Sequence, residues 1–355
     1  MKVKLNEKIS TVRKCCLFAV LILLIWRIDV LLLGSFQFPP SKKPTPFEHE
    51  ILVGTYYYTW YGGFLHWWEG YTNAPKLGRY SSWDSSTAEW HIKWAVDNGI
   101  DFFAVSWLGP GSWEENALKH GLLQAGDLNY MRFCIFYESV LRMQNPPYTT
   151  TFISDVKYLA NEYFNHPRYL KIEGKPVLIL YLVNELYLKL GEDAVSTIYQ
   201  VRRELLDMGF DVYLVADVIG FPMPSSQYDR FLKYFNAVTW YIFNLGSDWS
   251  SLLDSVDYTA NKWLNYTRSE NMSFIPSVYP GFDKTHSKLN TGQPVLVRNV
   301  SRFTEFCNIA RSYAKESAKV VIVATWNEWH EGTSIEPAEE YGFEYLQVIR
   351  TVLGG

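Results

Sequence analysis

Eight short apolar runs recur along this 355-residue chain: ILVGTYYYTW, DFFAVSW, RFCIFYE, PVLILYL, DVYLVADV, AVTWYIF, FIPSVYP and KVVIVATWNEW. Runs that are apolar almost throughout read as strands covered on both faces, because a half-solvated strand would alternate. Between them lie segments with the apolar spacing of helices, and each strand–helix–strand crossover returns the chain to the same end of a parallel sheet. Eight such units close a barrel, so the sequence predicts one α/β domain, a (β/α)8 TIM barrel, over residues 51–355. A doubly wound open sheet is the competing arrangement. Its usual mark is missing, since neither G-x-G-x-x-G nor G-x-x-x-x-G-K-[ST] follows the first run.

The helical segments carry their own stops. Ser86 and Glu89 stand at capping-box spacing in the first, and Asn98-Gly99 closes it. VKYLANEYFNHP is predicted to end at Asn165, ahead of Pro167, and AVSTIYQVRRELLDMGF at Gly209.

The amino terminus follows other rules. Lys2, Lys4, Lys8, Arg13 and Lys14 precede an apolar stretch from Cys15 to Gly34, broken by Arg27 and Asp29. About 20 residues suffice to cross a bilayer, and no A-x-A-like cleavage site follows. Residues 15–34 therefore read as an uncleaved signal anchor, with residues 1–14 as a basic cytoplasmic tail held on that side by its charge. Residues 35–50 are Pro-rich and aperiodic, which suits an extended stem. The expected product is a single-pass type II membrane protein whose catalytic domain is lumenal, Golgi-like, or extracellular. Asn265, Asn271 and Asn299 each open an N-x-[ST] sequon, in keeping with that location.

Composition excludes some partners. The formal net charge is -4 and no basic run interrupts the body of the chain, so nothing prepares it to neutralise nucleic-acid phosphates. Cys15 and Cys16 fall in the anchor, while Cys134 and Cys307 lie far apart in different predicted elements, so no disulfide framework is expected. No obligate protein partner is visible either. Aromatic residues make up 17% and many sit among polar ones; such rings serve packing, and they also suit stacking on sugars.

A barrel places its chemistry at the carboxyl ends of the strands. Those positions hold Tyr58 and Trp60 at the end of the first run with His66 and Trp67 after it, Trp107 at the end of the second and Glu138 at the end of the third. Asp217 stands near the end of the fifth run, Tyr241 near the end of the sixth, and Glu328 and Glu331 at and just after the end of the eighth. Carboxylates among aromatics suit glycosidic hydrolysis, in which one carboxyl protonates the leaving oxygen and another group stabilises or traps the positive charge at the anomeric carbon. Glu328 and Glu331, three residues apart in WNEWHEGTSIEP, can supply both roles, and retention of configuration asks for a separation of roughly 5 Å. An acidic turn capping the last helix is the plainer alternative, but Trp326, Asn327, Trp329 and His330 suit a partly dry pocket better than an open loop. Glu138 either faces a polar ligand or pairs with Arg142, and Asp217 either binds ligand or caps a loop. His330, Glu331 and Glu336 are metal-ligating types, but without the H-E-x-x-H spacing no metal or other cofactor is expected.

YYYTWYGG followed by HW, then GRYSSWD, FYE, IPSVYPGFD and above all WNEWHEGTSIEP resemble glycoside hydrolase family 99, in that order from about Leu52 to Glu336. The family includes endo-α-1,2-mannosidases of the secretory pathway, which cut within glucosylated high-mannose N-glycans, and bacterial enzymes acting on yeast mannan. The resemblance implies a (β/α)8 barrel, no metal, a mannose-rich glycan substrate and hydrolysis with retention. By motif position, Glu328 would take the proton of the mannose 2-hydroxyl, giving a 1,2-anhydro sugar, and Glu331 would act as general acid and then base. Asn327 and Glu336 of the same motif join the expected substrate-binding set. A conventional covalent nucleophile fits the charges equally well. The stretch from Gly220 to Asn261 departs from the family pattern. A membrane-anchored glycosyltransferase and a non-catalytic sugar-binding barrel are the alternative readings.

Overall fold

The computed structural model describes residues 50–62, 66–218, 226–242 and 246–354. The predicted tail, anchor and all but the last residue of the stem lie outside the described residues, as does part of the departing stretch from Gly220 to Asn261. Glu50, assigned to the stem from sequence, pairs with Lys315 at 2.8 Å, so the domain already holds this residue. Among the described residues no helix is long and apolar enough to cross a membrane.

Among the described residues ten strands form: β1 (Leu52–Tyr57), β2 (Phe102–Trp107), β3 (Arg132–Tyr137), β4 (Lys171–Ile172), β5 (Lys175–Leu180), β6 (Tyr213–Asp217), β7 (Ala237–Thr239), β8 (Ser273–Ile275), β9 (Ser277–Val278) and β10 (Val320–Val323). Their hydrogen-bonded order is β8-β7-β6-β5-β3-β2-β1-β10-β9, parallel throughout, with β4 lying off this path. The two ends of that order are consecutive in the chain. β8 and β9 are the single run FIPSVYP divided at Pro276, whose missing N–H cannot join a ladder. One half pairs with β7 and the other with β10, and the barrel closes through this run.

The central strands are buried along nearly their whole length, as near-continuous apolar runs require when helices cover the outside. Gly54 in β1 is needed for close packing, since a Cβ there would lie 2.1 Å from the Phe102 ring. The sequence pattern missed the hairpin between β4 and β5. Glu173 and Gly174 both take positive φ at its turn, 53° and 76°, a conformation that aligns two antiparallel strands without splaying them.

Helix boundaries shift slightly from expectation. The helix Ser85–Asp97 is capped by Asp84, which accepts from Ser86 N at 3.0 Å; Ser86 is inside the helix and Glu89 accepts instead from Gly126 N. An aspartate two residues upstream thus replaces the predicted capping box. Asn98 and Gly99 (φ 79°) close the helix as expected. Tyr148–Glu162 stops three residues short of Asn165, and Ala194–Asp207 is followed by Gly209 at φ 89°.

Candidate active site

After β10 the chain crosses the barrel mouth, and residues 325–336 are stitched to the extension of β1. Trp326 N donates to Tyr56 O at 2.8 Å. Asn327 pairs with the backbone of Tyr58 as a strand would: its Oδ1 accepts from Tyr58 N at 2.8 Å and its Nδ2 donates to Tyr58 O at 2.9 Å. Tyr61 Oη donates to Asn327 O at 2.8 Å, and Glu328 N donates to Thr325 Oγ1 at 2.8 Å. From the other side the Arg298 guanidinium donates to Gly332 O at 2.8 Å and Ser334 O at 2.6 Å while lying over the Tyr341 and Tyr345 rings. Gly332 is required at its turn, with φ 63° and the Asp283 backbone 3.0 Å from where a Cβ would stand.

This loop presents Glu328 and Glu331 to a cavity of about 430 Å³. Tyr58, Trp60, His66, Glu138 and Tyr241, all expected at the strand ends, line the same cavity. Tyr58 Oη donates to Tyr241 Oη at 2.9 Å, and the Trp60 ring stacks between those of Tyr58 and His66. The wall is completed by groups that the sequence did not single out, Glu69, Tyr181, Lys284 and Leu289 among them.

Glu138, Glu328 and Glu331, set into one cavity, do not all ionise freely. Burial pushes Glu328 well up, and the neighbouring Glu331 pushes it further. Burial raises Glu331 too, opposed by Lys284, whose Nζ lies 3.3 Å from Glu331 Oε1. Glu331 keeps 23% of its side chain exposed, whereas Glu328 is buried, so the two differ in solvation as well as in partner. Glu138 is pushed up to about 8 by burial, against the hydrogen bond from Ser106 Oγ at 2.8 Å. It therefore carries a proton at neutral pH and can donate to a sugar hydroxyl. Arg142, its predicted alternative partner, pairs instead with Asp155.

Five expected site residues support the cavity without lining it. Asn327 holds the loop, as above. Glu336 is fully buried beneath it, accepting from Tyr80 Oη at 2.7 Å with His91 Nε2 at 3.2 Å. Asp217 accepts from the backbone of Tyr241 at 2.8 Å and of Leu182 at 3.3 Å, so it fixes strand ends. Trp107 packs on Tyr137 and Tyr158, its Nε1 near Glu115, and Trp67 donates to Tyr80 O. These two indoles are core, because their ring N–H groups find partners away from the cavity. The grouping of His330, Glu331 and Glu336 is also split, since Glu336 faces His91. Instead His66, Glu69 and His330 bring their ligand atoms within 4.8 Å of one another.

The comparisons with known proteins agree with this geometry. The rat glycoprotein endo-alpha-1,2-mannosidase is 26% identical over 351 residues, covering 86% of this chain and 72% of its own. The Xenopus laevis protein of the same name is 24% identical, with 85% and 73% covered. Among solved structures, a GH99 endo-alpha-mannosidase from Bacteroides thetaiotaomicron superposes with a TM-score of 0.68 at 20% identity, over 87% of this chain and 97% of that one, which establishes the shared fold. The sequence model of glycosyl hydrolase family 99 matches residues 69–348, from the first cavity loop to the last helix, and includes the loop that bears Glu328 and Glu331. The chain belongs to glycosyl hydrolase family 99.

Proposed function

We propose that this glycoside hydrolase is a retaining, endo-acting α-mannosidase that cleaves internal α-1,2-mannosidic linkages of mannose-rich glycans. The observation that carries the reading is the pair Glu328 and Glu331, set by one loop into one cavity and held in unlike surroundings. The names of the relatives supply the linkage and the substrate class.

In this reading the roles follow motif position, although burial raises Glu328 the more and Lys284 draws Glu331 toward ionisation: Glu331 gives its proton to the leaving oxygen. Glu328 takes the proton of the mannose 2-hydroxyl, and O2 of the same sugar attacks the anomeric carbon from the face opposite the leaving oxygen to give a 1,2-anhydro sugar. Glu331, now ionised, then draws a proton from water as the water opens that intermediate and Glu328 returns its proton to O2, so the 2-hydroxyl is restored and configuration at the anomeric carbon is retained over two inversions. Each carboxyl ends the cycle in its starting state. Glu138, protonated at neutral pH, offers a hydroxyl-directed donor, and Trp60 and Tyr241 line the same cavity. Residues 15–34 would anchor the protein as a type II membrane enzyme, with residues 35–49 as the stem and the barrel on the lumenal side.

The test is incubation of the full chain in detergent with α-1,2-linked mannose oligosaccharides, with and without glucose caps, read by mass spectrometry and NMR. Release of a disaccharide or longer unit in the α configuration is expected, reduced by roughly 10²–10⁴-fold in Glu328→Gln and in Glu331→Gln. Inverted product, or full activity in either variant, overturns the assignment.

A further inference from the structure

The wall of the cavity contains an arrangement that the hydrolytic reading does not use. Glu69 sits between two imidazoles, with Oε1 3.2 Å from His66 Nδ1 and Oε2 3.1 Å from His330 Nε2. His66 precedes the 3-10 turn Trp67–Glu69, in which residues three apart eclipse, so the local backbone brings His66 over Glu69. His330 arrives from the loop after β10.

The protons do not balance at this spot. His330 Nδ1 lies 3.1 Å from the Gly70 carbonyl oxygen, which can only accept, so Nδ1 bears the ring proton. In the neutral imidazole Nε2 is then a lone pair, and it faces a carboxylate oxygen. Both atoms, His330 Nε2 and Glu69 Oε2, are buried and neither has a hydrogen-bond partner. A cation shared by the two lone pairs satisfies both atoms at once.

We infer that His66, Glu69 and His330 form a binding site for a divalent transition-metal ion of the zinc class on the wall of the glycan cavity. The spacing suits it: ligands at about 2.0–2.2 Å from a tetrahedral ion stand roughly 3.3 Å apart, and the two imidazole–carboxylate contacts are 3.1 and 3.2 Å. The set of two imidazoles and one carboxylate is that of open zinc sites, in which a fourth position is left for water or a ligand oxygen. The Gly70 carbonyl plays the outer partner that fixes the ring and its tautomer. All three side chains line the cavity, so the fourth position faces the space where sugar hydroxyls would lie. This inference is separate from the mannosidase reading, and its test does not depend on turnover.

The experiment is titration of the metal-free full chain in detergent with Co²⁺, followed by visible absorption, and with Zn²⁺, followed by calorimetry. The expected result is one ion per chain, with the cobalt bands of a four- or five-coordinate site that Zn²⁺ displaces. Glu69→Gln and His66→Ala, both of which leave Glu328 and Glu331 in place, should each weaken binding by more than the roughly 10–100-fold that loss of an outer partner costs. Circular dichroism checks that each variant is folded; His66, 30% exposed, is the milder change. No saturable one-to-one binding by the wild-type chain, or undiminished binding in a folded variant, overturns the site.

Discussion

Lys284 is placed to tune Glu328 and Glu331 unequally. Its ammonium touches Glu331 and acts on Glu328 only at longer range, so it draws the former most directly back toward the ionised form. If Glu331 is the general acid, activity falls as pH rises through its pKa. Lys284→Met removes a lowering influence, the pKa of Glu331 rises, and the alkaline limb of the kcat/KM profile should move to higher pH. An unmoved or acid-shifted limb would remove Glu331 from that role. Glu138 makes a second residue-level prediction, this time on stability. It ionises near 4.5 in the unfolded chain but near 8 in the fold. Between these values the unfolded state binds fewer protons, so the contribution is complete below 4.5 and is lost as pH rises through 8, by at most on the order of 4–5 kcal/mol. Thermal unfolding of Glu138→Gln should therefore depend less on pH between 5 and 8 than that of the wild type, and parallel curves would refute the assignment.

At the scale of elements, the site depends on how firmly residues 325–336 are held. Arg298 contributes a planar fork to two carbonyls and a face to two tyrosine rings, which lysine cannot reproduce. Arg298→Lys should lower kcat by up to about 100-fold while KM changes little, since a shift of about 1 Å in a reacting group has such a cost. A lowered unfolding temperature with unchanged kcat would confine Arg298 to stability. The strands that build this frame were legible in the sequence because burial on both faces leaves an unbroken apolar run, and all eight runs contain barrel strands. The hairpin Lys171–Lys175 was not legible, being too short and too polar for any periodicity. Nor could side-chain direction be read at a strand end. Tyr58, Glu138 and Glu328 line the cavity, whereas Trp107 and Asp217 occupy equivalent places in the sequence and turn to other partners. Lys284 and Glu69 come from loops with no strand-end signal, and only the fold brings them to Glu331 and His330.

The whole molecule raises the question of which side of a membrane the barrel occupies. The basic residues before Cys15 argue for translocation of everything after Gly34, and the barrel surface is compatible with that compartment. Asn265, Asn271 and Asn299 are all exposed on the domain. Asn299 uses its Oδ1 to cap the helix Val300–Lys315 by accepting from Arg302 N, which leaves its Nδ2 for attachment of a glycan. Cys134 and Cys307 are buried free thiols, so an oxidising lumen would not join them to exposed partners. Expressed whole in eukaryotic cells, the chain should resist carbonate extraction, survive protease added to sealed vesicles, and migrate faster after N-glycan removal, with the shift reduced by Asn→Gln changes at these three positions. Replacing residues 1–49 with a cleavable leader should release the same glycosylated domain into the medium, because every strand pair of the barrel forms among residues from Leu52 onward. An unglycosylated, protease-sensitive product in the soluble fraction would place the barrel on the cytoplasmic side, away from the glycans its cavity is proposed to cut.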